Sequence, residues 1–415
     1  MASYLDQLEM AAPERRWPMV RGWMQSEPVA LYRELREFRP VLELPELTFV
    51  SRFDDCLAVL RQPNVFSVAL YKPKQGEYWM AQDETARHWR EKSIMRSVLD
   101  LEELADIRKF VGQKTSDMLL SADGKLDVVN GLSRAVPIAL VQERFGFTGS
   151  DPQELRAWSY WNQYDAFHNQ PFDKDVVADP VAIETNRKAA NQRMVAYLLP
   201  LVQRRLAEMT AGVAAKDPVT RLLRLALSSG VQFDMSRVVQ NVGGLLIGTV
   251  ETTSHAVINA MAELFHRPAV LAAAITAAAS DDPTTFDGFV WEALRFRPPF
   301  PYFFRVCEHD SRLAGGTEHE RPVAKGRIVM PCVHSAMFDE HYFVEPEKFD
   351  AARGTANTFH FGYGHHECLG RYIGQQMIPE IVRQVLRMPG VKESGPVDFQ
   401  KGPFPEHYPL EWTMA

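Results

Sequence analysis

Ten residues near the C-terminus, Phe361-Gly362-Tyr363-Gly364-His365-His366-Glu367-Cys368-Leu369-Gly370, surround one cysteine with glycines. Glycine reaches backbone conformations closed to other residues, and here it lets amide N–H groups approach the sulfur. The apolar pattern that follows, through Gln375, Ile378, Ile381, Val385 and Leu386, predicts a helix starting at the cysteine. The positive end of that helix faces the sulfur and favours the thiolate. A thiolate presented in this way can be the axial ligand of a haem iron, the ligation that suits iron to oxygen activation rather than oxygen carriage. The plainer use of the same residue is a buried, inert cysteine.

A second group of reactive side chains is Gly248-Thr249-Val250-Glu251-Thr252-Thr253. It lies on the longest predicted helix, Asp234 to about His266, roughly 50 Å at 1.5 Å per residue. Gly243, Gly244 and Gly248 fall inside that helix, each costing about 1 kcal/mol against alanine. Such a cost implies that something bulky and flat packs against it. Gly248 and Thr252 are one turn apart on one face, and a mid-helix threonine can hydrogen-bond back to its own helix and loosen the ladder.

Together these segments resemble the cytochrome P450 family. Phe361, Gly362, Gly364, His366, Cys368 and Gly370 match its Phe-Gly-x-Gly-x-His-x-Cys-x-Gly signature, and Gly248 to Thr253 match its small-Gly-x-acid-Thr-Thr motif. The resemblance spans the chain and implies haem b (iron protoporphyrin IX), with Cys368 as iron ligand and Phe361, Gly370 and Gly248 against the cofactor. It implies that Glu251 and Thr252 deliver protons to oxygen at the iron, which the chemistry of O–O cleavage requires. It also implies that His88, Lys92, Arg305 and His366 hold the haem propionates, Lys92 standing where arginine is more common. Glu292 and Arg295 match the family's buried Glu-x-x-Arg pair, which fixes the loop ahead of the cysteine. The usual third partner falls in Pro346-Glu347-Lys348-Phe349, where Lys348 replaces an arginine. Lysine cannot make the same bidentate fork, so a looser network is expected.

Family substrate regions can be placed in the same way. Pro298 to Phe304 carries Pro301, Tyr302 and Phe303 in a rigid aromatic wall; Trp158 to Phe172 is again aromatic. The segment Phe66 to Ala86 is short for the family and is expected to omit the usual small helix over the pocket. It carries Tyr78 and Trp79, and also Lys72 and Lys74, which read better as solvated loop charges than as receptors for an anion. Thr249 replaces the usual glycine and narrows the pocket. The expected ligand is a small hydrophobic organic molecule, aromatic or polycyclic.

Around these segments the elements are mostly helical. Residues 26–38 predict a helix with Ser26 as N-cap and Pro28 in its first turn. Val41–Leu44 and Leu47–Val50 flank Pro45-Glu46 as a hairpin, and Asp54–Gln62 returns to helix. From 84 to 300 helical periodicity dominates, including a helix from Glu84 to Val98, Met194 to Met209, and Phe286 to Phe296. Val306–Leu313 and Arg327–Met330 read as strands. The expected fold is mainly α with a small β-rich region, cytochrome P450-like, as one domain over 1–415. Its β-rich part is mainly 41–52 and 300–335, its α-rich part mainly 84–300 and 368–388.

The 415 residues are 46% hydrophobic and 24% charged, with 46 basic and 53 acidic side chains and a net charge of −7. No clustered basic footprint for nucleic acid is present. No basic, apolar leader and no run of roughly 18 apolar residues appears, so no membrane is expected and the chain reads as cytoplasmic. Four scattered cysteines (Cys56, Cys307, Cys332, Cys368) argue for reduced thiols. The resemblance implies a monooxygenase that uses O2. It has no flavin or iron–sulfur segment, so electrons would come from a ferredoxin and an NAD(P)H-dependent ferredoxin reductase, with Arg87, Arg90 and Arg371 as a docking patch on a monomer. The competing readings are a peroxide-driven or isomerase-type relative, and a non-catalytic haem-based binding or sensor protein.

Overall fold

The computed structural model describes residues 3–83, 85–213, 215–228 and 233–414. Its centre is the helix Met235–Phe265, with Asp234 capping it by accepting from the Arg237 N–H. Most of its length is buried, including Val242, Leu246, Val250 and Val257, so it is apolar nearly all round, as an element enclosed on every side must be. The helices Pro152–His168, Thr284–Phe296, Arg371–Leu386, Ala135–Glu143 and Pro180–Thr210 pack around it. Two of its three glycines are explained by side chains rather than by a flat ligand. A Cβ on Gly244 would lie 2.2 Å from the Tyr78 hydroxyl, and one on Gly243 would lie 3.1 Å from Met194 Cε; Gly248 faces open space.

A five-stranded sheet flanks this body, in the order Val41–Glu43, Thr48–Val50, Ile328–Pro331, Arg305–Cys307, Phe66–Ser67. The first two strands form the expected hairpin, with Val41 opposite Val50; the second runs parallel to Ile328–Pro331, and the remaining pairs are antiparallel. The expected strand Val306–Leu313 is instead divided. Arg305–Cys307 belongs to this sheet, and Ser311–Leu313 pairs separately with Arg321–Val323. A third sheet joins Lys125–Asp127, Pro409–Glu411 and Lys392–Glu393.

Several boundaries shift. Ser26 ends the helix Pro13–Ser26, and the next helix, Pro28–Phe38, is preceded by Glu27 without a side-chain cap. The expected start at Glu84 lies outside the described residues; the helix observed is Ala86–Val98, capped by Thr85. The segment over the cavity does contain a small helix, Lys72–Gln75, between short 3-10 turns. Among the described residues no helix is long and apolar enough to cross a membrane.

Candidate active site

The cysteine loop is shaped by two glycines with positive φ, Gly362 at 70° and Gly364 at 69°. At Gly364 a side chain would also meet the Leu60 carbonyl oxygen, 3.0 Å from its Cβ. The loop closes on itself where the Cys368 N–H donates to Phe361 O at 2.8 Å. The following helix runs Arg371–Leu386 with Gly370 as its N-cap, three residues later than the sequence suggests. Burial pushes the Cys368 thiol up from its ordinary value, while a Gly370 backbone hydrogen bond and the charge of Lys92 pull against it. The helix end alone therefore does not make a thiolate; a coordinated cation would.

Cys368 lies on the wall of a cavity of about 290 Å³ that runs between this loop and the central helix. Gly370, Phe361 and His366 line it on the cysteine side, Gly248, Thr249 and Thr252 on the helix side, and Tyr78, Trp79, Phe303 and Arg305 complete its rim and ceiling. Pro301 and Tyr302 are not on the wall. Pro301 O accepts from the His334 N–H at 2.9 Å, and Tyr302 turns away to pack edge-on against Trp17, while Phe300 and Phe303 on either side of them face the cavity. Of the aromatic stretch 158–172, Phe167 reaches the cavity, whereas Tyr160 and Tyr164 pack on Phe404 and Phe172 on Trp17.

The cavity rim holds groups that want an anion. The Arg305 guanidinium is buried, donates to Phe304 O at 2.8 Å and makes no ion pair among the described residues. Both ring nitrogens of His366 are buried without a hydrogen-bond partner, and the Asp83 carboxylate stands 3.6 Å away, beyond hydrogen-bond reach. Burial holds His366 well below its ordinary pKa and pushes Asp83 up to about 6. An unpaired buried cation beside unsatisfied imidazole nitrogens is what a carboxylate would complete, so the residues present fit haem, with Cys368 toward the iron and Arg305 and His366 toward the propionates. His88 and Lys92 sit behind this rim. His88 Nδ1 lies 3.0 Å from Trp79 O and Gln82 O, its Nε2 lies 3.1 Å from His365 O, and burial brings it down to about 4. Lys92 Nζ donates to the same His365 carbonyl, and burial brings it down to about 8.

The cysteine loop is braced from outside the cavity. Arg295 Nε and Nη2 donate to the two oxygens of Glu292 at 2.9 and 2.8 Å, and Arg295 also donates to Met337 O and Pro346 O. The third partner is not Lys348, which is exposed and paired only with Glu345 at 3.3 Å. Arg353 takes that place: its Nε donates to Glu292 Oε1 at 3.1 Å and its two Nη groups to the carbonyls of Val344, Glu345 and Lys348. The network is complete, contrary to expectation, because the segment Pro346–Arg353 folds back over Glu292.

On the central helix, Thr252 Oγ1 donates back to Gly248 O and Thr249 Oγ1 to Leu245 O, both at 2.6 Å. Glu251 points away from the cavity. It is 1% exposed and bound by Arg134 Nε at 3.0 Å; Arg134 in turn donates to Glu406 Oε2 at 2.9 Å, as does Arg156 nearer the surface. Burial raises the Glu251 carboxyl despite Arg134. Arg134 went unnoticed in the sequence, yet a single arginine within the apolar run Val128 to Val141 is itself a signal, since such a charge must be paired to be buried. Lys74 is likewise not free: it donates to Asp165 Oδ1 at 3.0 Å and to Asp165 O at 2.6 Å, tying the small helix over the cavity to the helix Pro152–His168.

Comparison with known proteins shows the family. The model of the family described as "Cytochrome P450" matches residues 61–394. Cyclomarin C epoxidase CymV from Salinispora arenicola is 25% identical over 350 residues, covering 81% of this chain and 82% of the relative. Erythromycin C-12 hydroxylase from Saccharopolyspora erythraea is 27% identical over 327 residues, covering 77% and 76%. The crystal structure of CalO2 shares the fold, with a TM-score of 0.78 at 21% identity over 94% of this chain and 97% of that one. A thiol and an anion-binding rim around one cavity, on this fold and with this match, identify the chain as a member of the cytochrome P450 family.

Proposed function

We propose that this cytochrome P450 monooxygenase inserts one oxygen atom into a C–H bond or an alkene of a hydrophobic, aromatic or polycyclic molecule. O2, two electrons and two protons enter; the oxygenated product and one water leave. When bound, the haem, as haem b, supplies the iron chemistry that splits O2. The observation that carries the reading is the placement of Cys368 and Thr252 on facing sides of one apolar cavity. Cys368 would hold the iron and Arg305 and His366 the propionates, while His88 and Lys92 brace the loop behind them at the His365 carbonyl. Tyr78, Trp79, Phe303 and Phe167 exclude water and orient an apolar substrate, with Thr249 narrowing the approach. The relatives named as an epoxidase and a hydroxylase support both reaction outcomes.

Thr252 holds a proton at its hydroxyl beside the oxygen site. Glu251 passes protons inward: its carboxyl, raised by burial, ends a charged string through Arg134, Glu406 and Arg156 that reaches the surface. To do so it must turn from Arg134 toward Thr252. Electrons come from a ferredoxin and its NAD(P)H-dependent reductase. They dock on the cysteine side, where Arg90, Trp89 and Tyr372 are exposed. Arg87 and Arg371 flank that patch but are paired with Glu77 and Glu367. The protein works as a monomer in the cytoplasm.

The test has two parts. The reduced, carbon monoxide-bound protein should show the red-shifted thiolate band, and Cys368→Ser should abolish it together with turnover; a band that survives overturns the reading. A Soret-shift screen of polycyclic and aromatic compounds, followed by product analysis with surrogate ferredoxin and reductase, should return oxygenated products. Turnover with peroxide alone that Thr252→Ala leaves undiminished would sink the O2-dependent reading.

A further inference from the structure

Ser159 and Gln163, one turn apart on the helix Pro152–His168, meet the central helix at a single peptide carbonyl. Ser159 Oγ donates to Ile247 O at 3.1 Å and accepts from the Glu251 N–H at 3.3 Å. Gln163 Nε2 donates to the same Ile247 O at 2.8 Å. Ile247 O and Glu251 N are the two ends of one i to i+4 helical bond, so a hydroxyl from another helix stands across it. The contact is sealed from water: Ser159 is 0% exposed and Gln163 5%. Within the same two turns, Thr249 and Thr252 donate to the carbonyls of Leu245 and Gly248. Three carbonyls in four residues thus carry side-chain donors, an arrangement that loosens and bends helices.

Gln163 marks how firmly this contact is imposed. A carbonyl only accepts, so Ile247 O dictates which end of the Gln163 amide faces it. The other end, Oε1, is left buried with no partner, an arrangement that is unfavourable unless the Ile247 bond is needed. Gln163 also lines the cavity, so it touches both the space beneath its own helix and the backbone that leads to Thr252.

We propose that Ser159 and Gln163 are positioning residues that hold the central-helix ladder open between Ile247 and Glu251 and so set the backbone carrying Thr252. This rests on the reading of Thr252 as the proton-handling residue of the oxygen site. Cavity contents and oxygen-site backbone are thereby mechanically joined through one side chain.

Amide hydrogen exchange on the haem-loaded protein tests this directly. In Ser159→Ala the Glu251 N–H loses its 3.3 Å bond to the Ser159 hydroxyl and can close on Ile247 O instead, so the Glu251 amide should exchange about threefold more slowly, the difference between a long side-chain bond and an ordinary helical one. The carbon monoxide spectrum should be unchanged, and with surrogate ferredoxin and reductase the peroxide released per NADPH should rise. Ser159→Cys, which keeps a weak donor and the shape, should fall between, and Gln163→Met should shift both readouts the same way by less. Unchanged or faster exchange of the Glu251 amide in Ser159→Ala overturns the proposal. Thr252→Ala is the control: if it fails to raise peroxide, the reading of Thr252 falls, while the exchange result judges the clamp separately.

Discussion

On the cysteine side of the cavity, position is held by the backbone and by paired charge. Gly362 and Gly364 take positive φ, the loop bonds to itself at Phe361, and Glu292 is gripped by two arginines that also bind five backbone carbonyls. On the opposite side the central helix is held the other way. Its carbonyls at Leu245, Ile247 and Gly248 carry side-chain donors from Thr249, Ser159 and Thr252, and Glu251 is drawn away from the cavity by Arg134. Under the proposed function, a metal ligand has to stay at one distance, which rigidity on the first wall would serve, and proton transfer needs groups that can exchange partners, which side-chain donors along the second would serve.

Substitutions can break or sharpen this contrast. The largest effect is expected at Arg295→Ala, which takes the bidentate partner from the buried Glu292 carboxylate, leaves Glu292 Oε2 unpaired and frees two carbonyls, and should destabilise the fold by about 3–5 kcal/mol, with haem lost in parallel; urea unfolding and haem retention measure both. Arg134→Met should cost a similar amount at high pH but leave the cysteine-side spectrum intact. Its pH dependence carries a sign. Burial raises the Glu251 carboxyl, so without Arg134 the folded state keeps a proton that the unfolded state releases above its own pKa. The stability loss should therefore grow as pH rises from 5 to 8 and shrink as it falls; a loss independent of pH would mean that Glu251 finds another partner.

Arg353→Ala should follow, at about 1–3 kcal/mol, since it leaves Glu292 Oε1 and several carbonyls short of a donor. Lys348→Ala should be the smallest, within about 0.5 kcal/mol. Equal effects from the last two would mean that the brace does not run through Arg353.

The legible and illegible parts of the site divide along the same line. The cysteine loop could be read from ten consecutive residues because its geometry is local: the glycines, the cysteine and the helix start are neighbours in the chain. The central helix was likewise legible in its extent, read as Asp234 to His266 and observed as Met235–Phe265. The slip from Lys348 to Arg353 arose because an irregular segment has no period to count along; only its fold back over Glu292 decides which side chain arrives. Pro301 and Tyr302 failed for a related reason, since an irregular proline-rich segment has no period to say which of its side chains meet the cavity, and here Phe300 and Phe303 do.

What the sequence by itself determined was the chemistry: a cysteine among glycines, an acid–threonine pair on a long apolar helix, and a mainly helical frame to oppose them. Those features depend on residues within one or two turns of each other, where spacing dictates geometry. Which way Glu251 points, which arginine completes the brace, and that Ser159 stands across the Ile247–Glu251 bond were decided by tertiary structure alone. Each depends on a partner between 61 and 117 residues away in the chain, and such partners are chosen by packing and by the need to satisfy every buried polar group, neither of which local sequence records.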